Sequence, residues 1–135
     1  MFQQRREAVV MNRNAVGWFE IFVKDLDRAR KFYEAVFAVK LEELQAPFPG
    51  VERYCFPMFE DGGGASGALV KKEGLSSDGM GVLIYFSSQD CAIEASRVVE
   101  NGGILQQEKM AIGIYGNIAI ALDTEGNMFG IHSKH

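Results

Sequence analysis

Gly17-Trp18-Phe19-Glu20-Ile21-Phe22-Val23, followed by Lys24-Asp25-Leu26, is the stretch from which the fold can be read. Its aromatic and β-branched residues predict a strand. Alternation then puts Trp18, Glu20 and Phe22 on one face and Phe19, Ile21 and Val23 on the other. Asp25 is the predicted N-cap of a helix, with Asp27 favoured in its positive first turn. Leu26, Ala29, Phe32, Tyr33 and Val36 recur at helical spacing, which predicts a helix ending near Phe37 with Phe32 and Tyr33 in the core. Outward from there, Val39 to Leu44 reads as a second strand, and Pro47, Pro49 and Gly50 as a loop. Arg53 to Phe59 alternates, with Tyr54, Phe56 and Met58 on one face and Pro57 marking an edge or a bulge. Asp61-Gly62-Gly63-Gly64 reads as a hairpin turn leading into a strand from Ala65 to Lys72.

The same order returns 65 residues later, after a Gly/Ser-rich connector at 74–79. Val82 to Phe86 is a strand, Asp90 a cap, and Ala92, Ala95, Val98 and Val99 a helical stripe that Asn101-Gly102-Gly103 stops. Ile104 to Gln107 is a short strand. Ile118 to Leu122 and Met128 to Ser133 are two more, joined by the turn Asp123-Thr124-Glu125-Gly126-Asn127. The shift lays Trp18 on Leu83, Glu20 on Tyr85 and Asp25 on Asp90. A repeat of this kind predicts the architecture. Residues 1–13 are a tail or an added strand, 14–73 a first module and 80–134 a second. Together they form one domain, since a half of about 60 residues buries too little surface to stand alone.

Composition narrows the function. The 135 residues are 47% hydrophobic and 24% charged, values of a globular chain. Fourteen basic against eighteen acidic residues give a charge of -4, and no basic patch marks a nucleic-acid binder. No apolar run approaches the roughly 20 residues of a membrane span. The stretch Ala8-Val9-Val10-Met11 is too short for a signal peptide, so the protein reads as cytoplasmic. Cys55 and Cys91, lone and far apart, read as buried reduced thiols, with a disulfide or a reactive thiol as alternatives. Histidines are confined to His132 and His135. No Ser-His-Asp, Cys-His or nucleotide-binding pattern is readable.

The two βαβββ repeats, the strand-Asp-Leu-helix start with Arg30-Lys31-Phe32-Tyr33, and the closing Asp123-Thr124-Glu125-Gly126-Asn127-Met128-Phe129-Gly130-Ile131 hairpin resemble the vicinal oxygen chelate superfamily. That group includes glyoxalase I, bleomycin-resistance proteins and extradiol dioxygenases, and the resemblance covers about residues 14–134. It implies an α+β fold of two tandem βαβββ modules whose curved mixed sheets surround a cavity. It also implies a homodimer, and a divalent metal held by His, Gln and Glu on opposing strands. The first ligand position, seven residues before the capping Asp, is Trp18 here; its equivalent in the second half is Leu83, and the last is Gly130. These side chains offer none of the N, O or S donors of a metal site. A ligand-poor, glyoxalase-related branch is implied, with no cofactor expected. A displaced divalent metal would draw on Glu20 and His132 and lack a third ligand.

The resemblance, combined with strand alternation, turns Trp18, Glu20, Phe22, Leu83, Tyr85, Gly130 and His132 towards that cavity: apolar walls with a few polar handles, as in small-molecule sites. Glu20, between two aromatics, loses hydration, which raises a carboxylate's pKa and suits an acid or base. The alternative is a Glu at a solvated mouth or paired with an Arg. His132 is a candidate proton shuttle or anion anchor, against a plain hydrogen-bonded role. Tyr85 is a candidate hydrogen-bond donor, or core; Trp18 stacks on a planar ligand, or fills the missing metal site. Residues 111–117 are a candidate lid with glycine hinges. Three readings follow: a metal-free small-molecule binding protein, a metal-independent lyase or isomerase using Glu20 and His132, and an interaction module with a vestigial pocket.

Overall fold

The computed structural model of the chain describes residues 13–74 and 81–135. All of the expected tail but Arg13, and all of the 74–79 connector but Gly74, lie outside the described residues. The elements are β1 (Val16–Phe22), α1 (Leu26–Phe37), β2 (Glu42–Glu43), β3 (Val51–Cys55), β4 (Ser66–Lys72), β5 (Val82–Ser87), α2 (Cys91–Val98), β6 (Ile104–Ala111), β7 (Asn117–Leu122) and β8 (Met128–Ser133). The chain is α+β and twice runs strand, helix, then three strands. It divides into two compact units, one of Trp18–Ile84 and the other of Tyr85–His135 with the described residues 13–17. The division falls inside β1 and inside β5.

In the first unit the strands lie in the order β2-β3-β4-β1. β1 pairs with β4 in parallel, and β3 with β4 antiparallel. α1 starts where expected, because the Asp25 carboxylate accepts the Arg28 N–H at 3.0 Å. It ends on Ala38, left-handed at φ 53°. Leu26, Ala29 and Tyr33 of α1 pack with Ile21, Val23, Leu41, Leu69, Tyr54 and Phe56 into a core. Phe32 was expected in that core with Tyr33 and is not: it is 59% exposed, and Val36, at the same helical spacing, is 56% exposed. The inward row takes Tyr33, and a neighbour in sequence is turned about 100° round a helix. Phe32 packs edge-on against the Tyr33 ring, 5.2 Å between centroids.

The second unit repeats the strand order as β5-β8-β7-β6, with β5 and β8 parallel and the other pairs antiparallel. The segment before β1 is tied in by the Ser87 N–H, which donates to the Ala15 carbonyl at 2.9 Å. Asp90 caps α2 through the Ala92 N–H. Gly102, at φ 97°, turns the chain out of the short 3-10 turn that follows α2. Cys91 and Ala95 pack on Ala119 and Ile131, flanked by Leu105 and Phe129. Cys55 and Cys91 are both buried free thiols; burial pushes the Cys55 thiol up.

Three strands differ in length from the sequence reading. β3 stops at Cys55, before Pro57, which has no N–H to continue a ladder. The second strand shrinks to Glu42–Glu43. β6 runs on to Ala111 through polar Gln107 and Glu108, which an edge strand with register shifts at Gln107 tolerates.

Candidate functional site

In the first unit, the register fixes which side chains share a face. Ile21, Leu69 and Tyr54 are aligned across β1, β4 and β3 and face α1. The alternate rows face away from the helix: Glu20, Ala68 and Cys55 in one, Phe22, Val70 and Arg53 in the next, with Trp18 beside Ser66. Trp18, Glu20 and Phe22 thus share one face, as the alternation of β1 predicts. Arg53 joins them, which sequence reading missed. The signal was an arginine out of phase with Tyr54 and Phe56 in an alternating strand.

Trp18, Glu20 and Arg53 are linked. The Trp18 indole Nε1–H donates to Glu20 Oε2 at 3.3 Å. Arg53 Nη1 lies 3.8 Å from the same oxygen. Arg53 Nη2 donates to the Gln45 carbonyl at 2.7 Å. Only 9% of the Arg53 side chain and 12% of the Glu20 side chain are exposed. Of the two alternatives for Glu20, the structure realises the pairing with an arginine. Taking two charges out of water costs several kcal/mol per ion, and a buried pair rarely repays this in stability. The pair therefore calls for a reason other than holding the fold together. A cleft of about 290 Å³ opens in the same unit between Glu42, Cys55 and Met58, and Cys55 belongs to the Glu20 row. Leu83, also in this unit, is buried.

In the second unit, Tyr85 and Gly130 are register partners. A Cβ on residue 130 would fall 2.3 Å from Tyr85 Cδ1, so glycine there is what lets the ring lie against the strand. Tyr85 is buried. His132 pairs with Ser87 and Ile118 in the sheet, and its Nε2–H donates to the Tyr115 carbonyl. The carbonyl only accepts, so the neutral ring carries its proton on Nε2 and leaves Nδ1 as the acceptor. Tyr115 closes a short 3-10 turn, Gly113–Tyr115, between glycines at φ 70° and 103°. His132 thereby tethers the segment expected to act as a lid.

The superfamily's divalent metal does not fit the side chains at its ligand positions. Trp18 offers only an N–H donor, which it spends on Glu20. Leu83 has no donor atom, and the space beside Gly130 is filled by the Tyr85 ring. Among the described residues, no three His, Cys, Asp or Glu side chains are grouped to hold a metal ion. Among the same residues, no helix is long and apolar enough to cross a membrane.

Comparison with known proteins bears on this arrangement. The profile of the Glyoxalase/Bleomycin resistance protein/Dioxygenase superfamily matches residues 15–131. The chain belongs to that superfamily. Among solved structures, it is similar to a point variant of Streptomyces coelicolor methylmalonyl-CoA epimerase in complex with 2-nitronate-propionyl-CoA, at 18% identity and TM-score 0.70, covering 90% of this chain and 95% of that one. It is similar to methylmalonyl-CoA epimerase from Mycobacterium tuberculosis at 18% identity and TM-score 0.68, over 90% and 88% of the two chains. A hypothetical protein from Bacillus halodurans C-125 matches at 16% identity and TM-score 0.70, over 94% and 96%. At these identities the shared property is the fold. A sequence comparison with curated proteins gives no match.

Proposed function

We propose that this superfamily member binds a small molecule on the face carrying Trp18, Glu20, Phe22 and Arg53, without the divalent metal that the superfamily resemblance implies. One observation carries the reading: a buried carboxylate and guanidinium, joined to an indole N–H, stand among apolar side chains on a sheet face turned away from the helix. Apolar walls with a few oriented polar groups are what a small-molecule site requires. Leu83, Tyr85 and Gly130 are proposed as ligand-binding residues within their own units, Tyr85 as a hydrogen-bond donor, and His132, like Glu20, as a candidate catalytic group. Homodimeric assembly in the cytoplasm belongs to the same reading.

A second reading, metal-independent acid/base catalysis, is favoured by the Trp18 indole N–H. It fixes Oε2 of Glu20 and so orients the carboxylate. The neighbouring epimerases support it only as holders of the same fold. A crystal structure of the protein with its co-purified small molecule tests both readings. Density against Trp18 and Phe22 is the expected result, and a face closed by the chain's own side chains would favour an interaction module instead. Glu20→Gln separates binding from catalysis: unchanged affinity with lost turnover selects the enzyme.

A further inference from the structure

We propose that the cleft at the β2 edge of the first unit is a binding site in its own right, and that it takes a small organic cation: an ammonium group on an apolar body about the size of one ring. This is independent of the small-molecule reading above, because none of Trp18, Glu20, Phe22 and Arg53 lines the cleft. Its volume of about 290 Å³ lies near the lower end of the about 300–1,000 Å³ of small-molecule pockets. β2 is the end strand of its unit. Glu42 stands opposite Cys55 and Glu43 opposite Tyr54. Neighbours in a strand point to opposite faces, so the two carboxylates flank the edge from either side. The chain leaving β3, through Pro57 and Met58, supplies the rest of the lining.

The chemistry of the lining selects the ligand. Its side chains offer acceptors: two carboxylates and, more weakly, the Met58 thioether. Its one side-chain donor, the Cys55 S–H, is spent on the Phe56 carbonyl at 2.9 Å. Burial raises the Cys55 thiol, Arg53 draws it back and Glu42 raises it again, so the thiol stays protonated and keeps that bond. No Lys, Arg or His is among the residues lining the cleft. Neither Glu42 nor Glu43 has a hydrogen-bond or ion-pair partner among the described residues. A guest with N–H donors and a positive charge therefore meets two uncompensated carboxylates, whereas an anion is repelled. Leu44, Pro57 and Met58 suit an apolar body. Met58 is 58% exposed, and covering it removes apolar surface from water. A metal ion fits less well, since no three His, Cys, Asp or Glu side chains are grouped for one among the described residues.

Met58 provides the readout. Full-length protein is labelled with ¹⁵N throughout and with ¹³C at its six methionine methyl groups, and Met58→Leu assigns the Met58 resonance. Benzylamine, protonated at neutral pH, is titrated in beside benzyl alcohol and benzoate. The proposal expects benzylamine to shift the Met58 methyl saturably, with the alcohol and the benzoate at least about tenfold weaker. Glu42→Gln and Glu43→Gln should each weaken benzylamine by up to about fivefold, the range of an exposed ion pair, and the double variant should bind amine and alcohol alike. Both side chains are exposed, so these variants leave the core intact. Glu52→Gln, at an exposed carboxylate of β3 outside the cleft, should change nothing. An alcohol or benzoate that binds as well as the amine overturns the proposal. So does an amine affinity that the double variant leaves unchanged, or that Glu52→Gln lowers equally. A Met58 methyl that none of the three compounds moves also overturns it. Benzylamine that shifts the Trp18 indole resonance and not Met58 overturns it while supporting the small-molecule face.

Discussion

Replacing Arg53 by methionine would remove the guanidinium that stands 3.8 Å from the mostly buried Glu20 carboxylate. Breaking a buried pair from one side costs about 3–5 kcal/mol, whereas replacing both partners by apolar groups is often neutral. Urea unfolding should therefore show Arg53→Met strongly destabilised and the double variant Glu20→Leu/Arg53→Met largely recovered. A double variant as unstable as the single one would mean that the pair holds the fold in its own right. Gly130 offers a second test at this scale. A methyl group there meets the Tyr85 ring, and overpacking costs about 1–3 kcal/mol. Gly130→Ala should show that loss in the native background and much less in Tyr85→Leu; equal losses in both would show that the ring is not what excludes the side chain. Trp18, Glu20 and Phe22 were legible as face-sharing residues because period-two alternation in a strand depends on backbone geometry alone. Arg53 was not, because its partnership with Glu20 crosses β4, and only the sheet register brings the two together.

At the scale of elements, both helix starts were readable from Asp25 and Asp90, since an N-cap is a local hydrogen bond. Asp90 also reaches beyond its helix. The Lys109 ammonium, 2.8 Å away, and then the Ala92 N–H hold its carboxyl below the ordinary 3.8. A carboxyl lowered in the folded state contributes stability above its unfolded value, and that contribution is lost as pH falls through the folded one. The stability gap between the native chain and Asp90→Asn should accordingly be present near neutral pH and close as the pH drops below about 3.8. Urea midpoints across that range check it, and a gap that persists in acid would rule out the Lys109 link. What sequence could not give was element width. Phe32 and Val36 have the spacing of core residues, but which rows of α1 the sheet covers is decided by tertiary packing. β6 outran its apolar run for the related reason that an edge strand needs a partner on one side only.

For the molecule as a whole, the 65-residue shift carried the fold. Each repeat supplies a strand, a capped helix and three further strands, and the strand order within each unit comes out the same. Function was less legible for a physical reason. A fold is specified by periodic patterning over many residues, whereas a site depends on a few side chains and their distances. The ligand positions holding Trp18, Leu83 and Gly130 pointed away from the superfamily's metal chemistry but named no replacement. The central claim is that the Trp18, Glu20, Phe22 and Arg53 face takes its ligand without a metal. Its most direct test is calorimetric titration of the co-purified small molecule into chelator-treated protein freed of it, repeated after loading with Mg²⁺, Mn²⁺ or Zn²⁺. The account predicts the same affinity in every case; binding that appears only in a metal-loaded sample would contradict it.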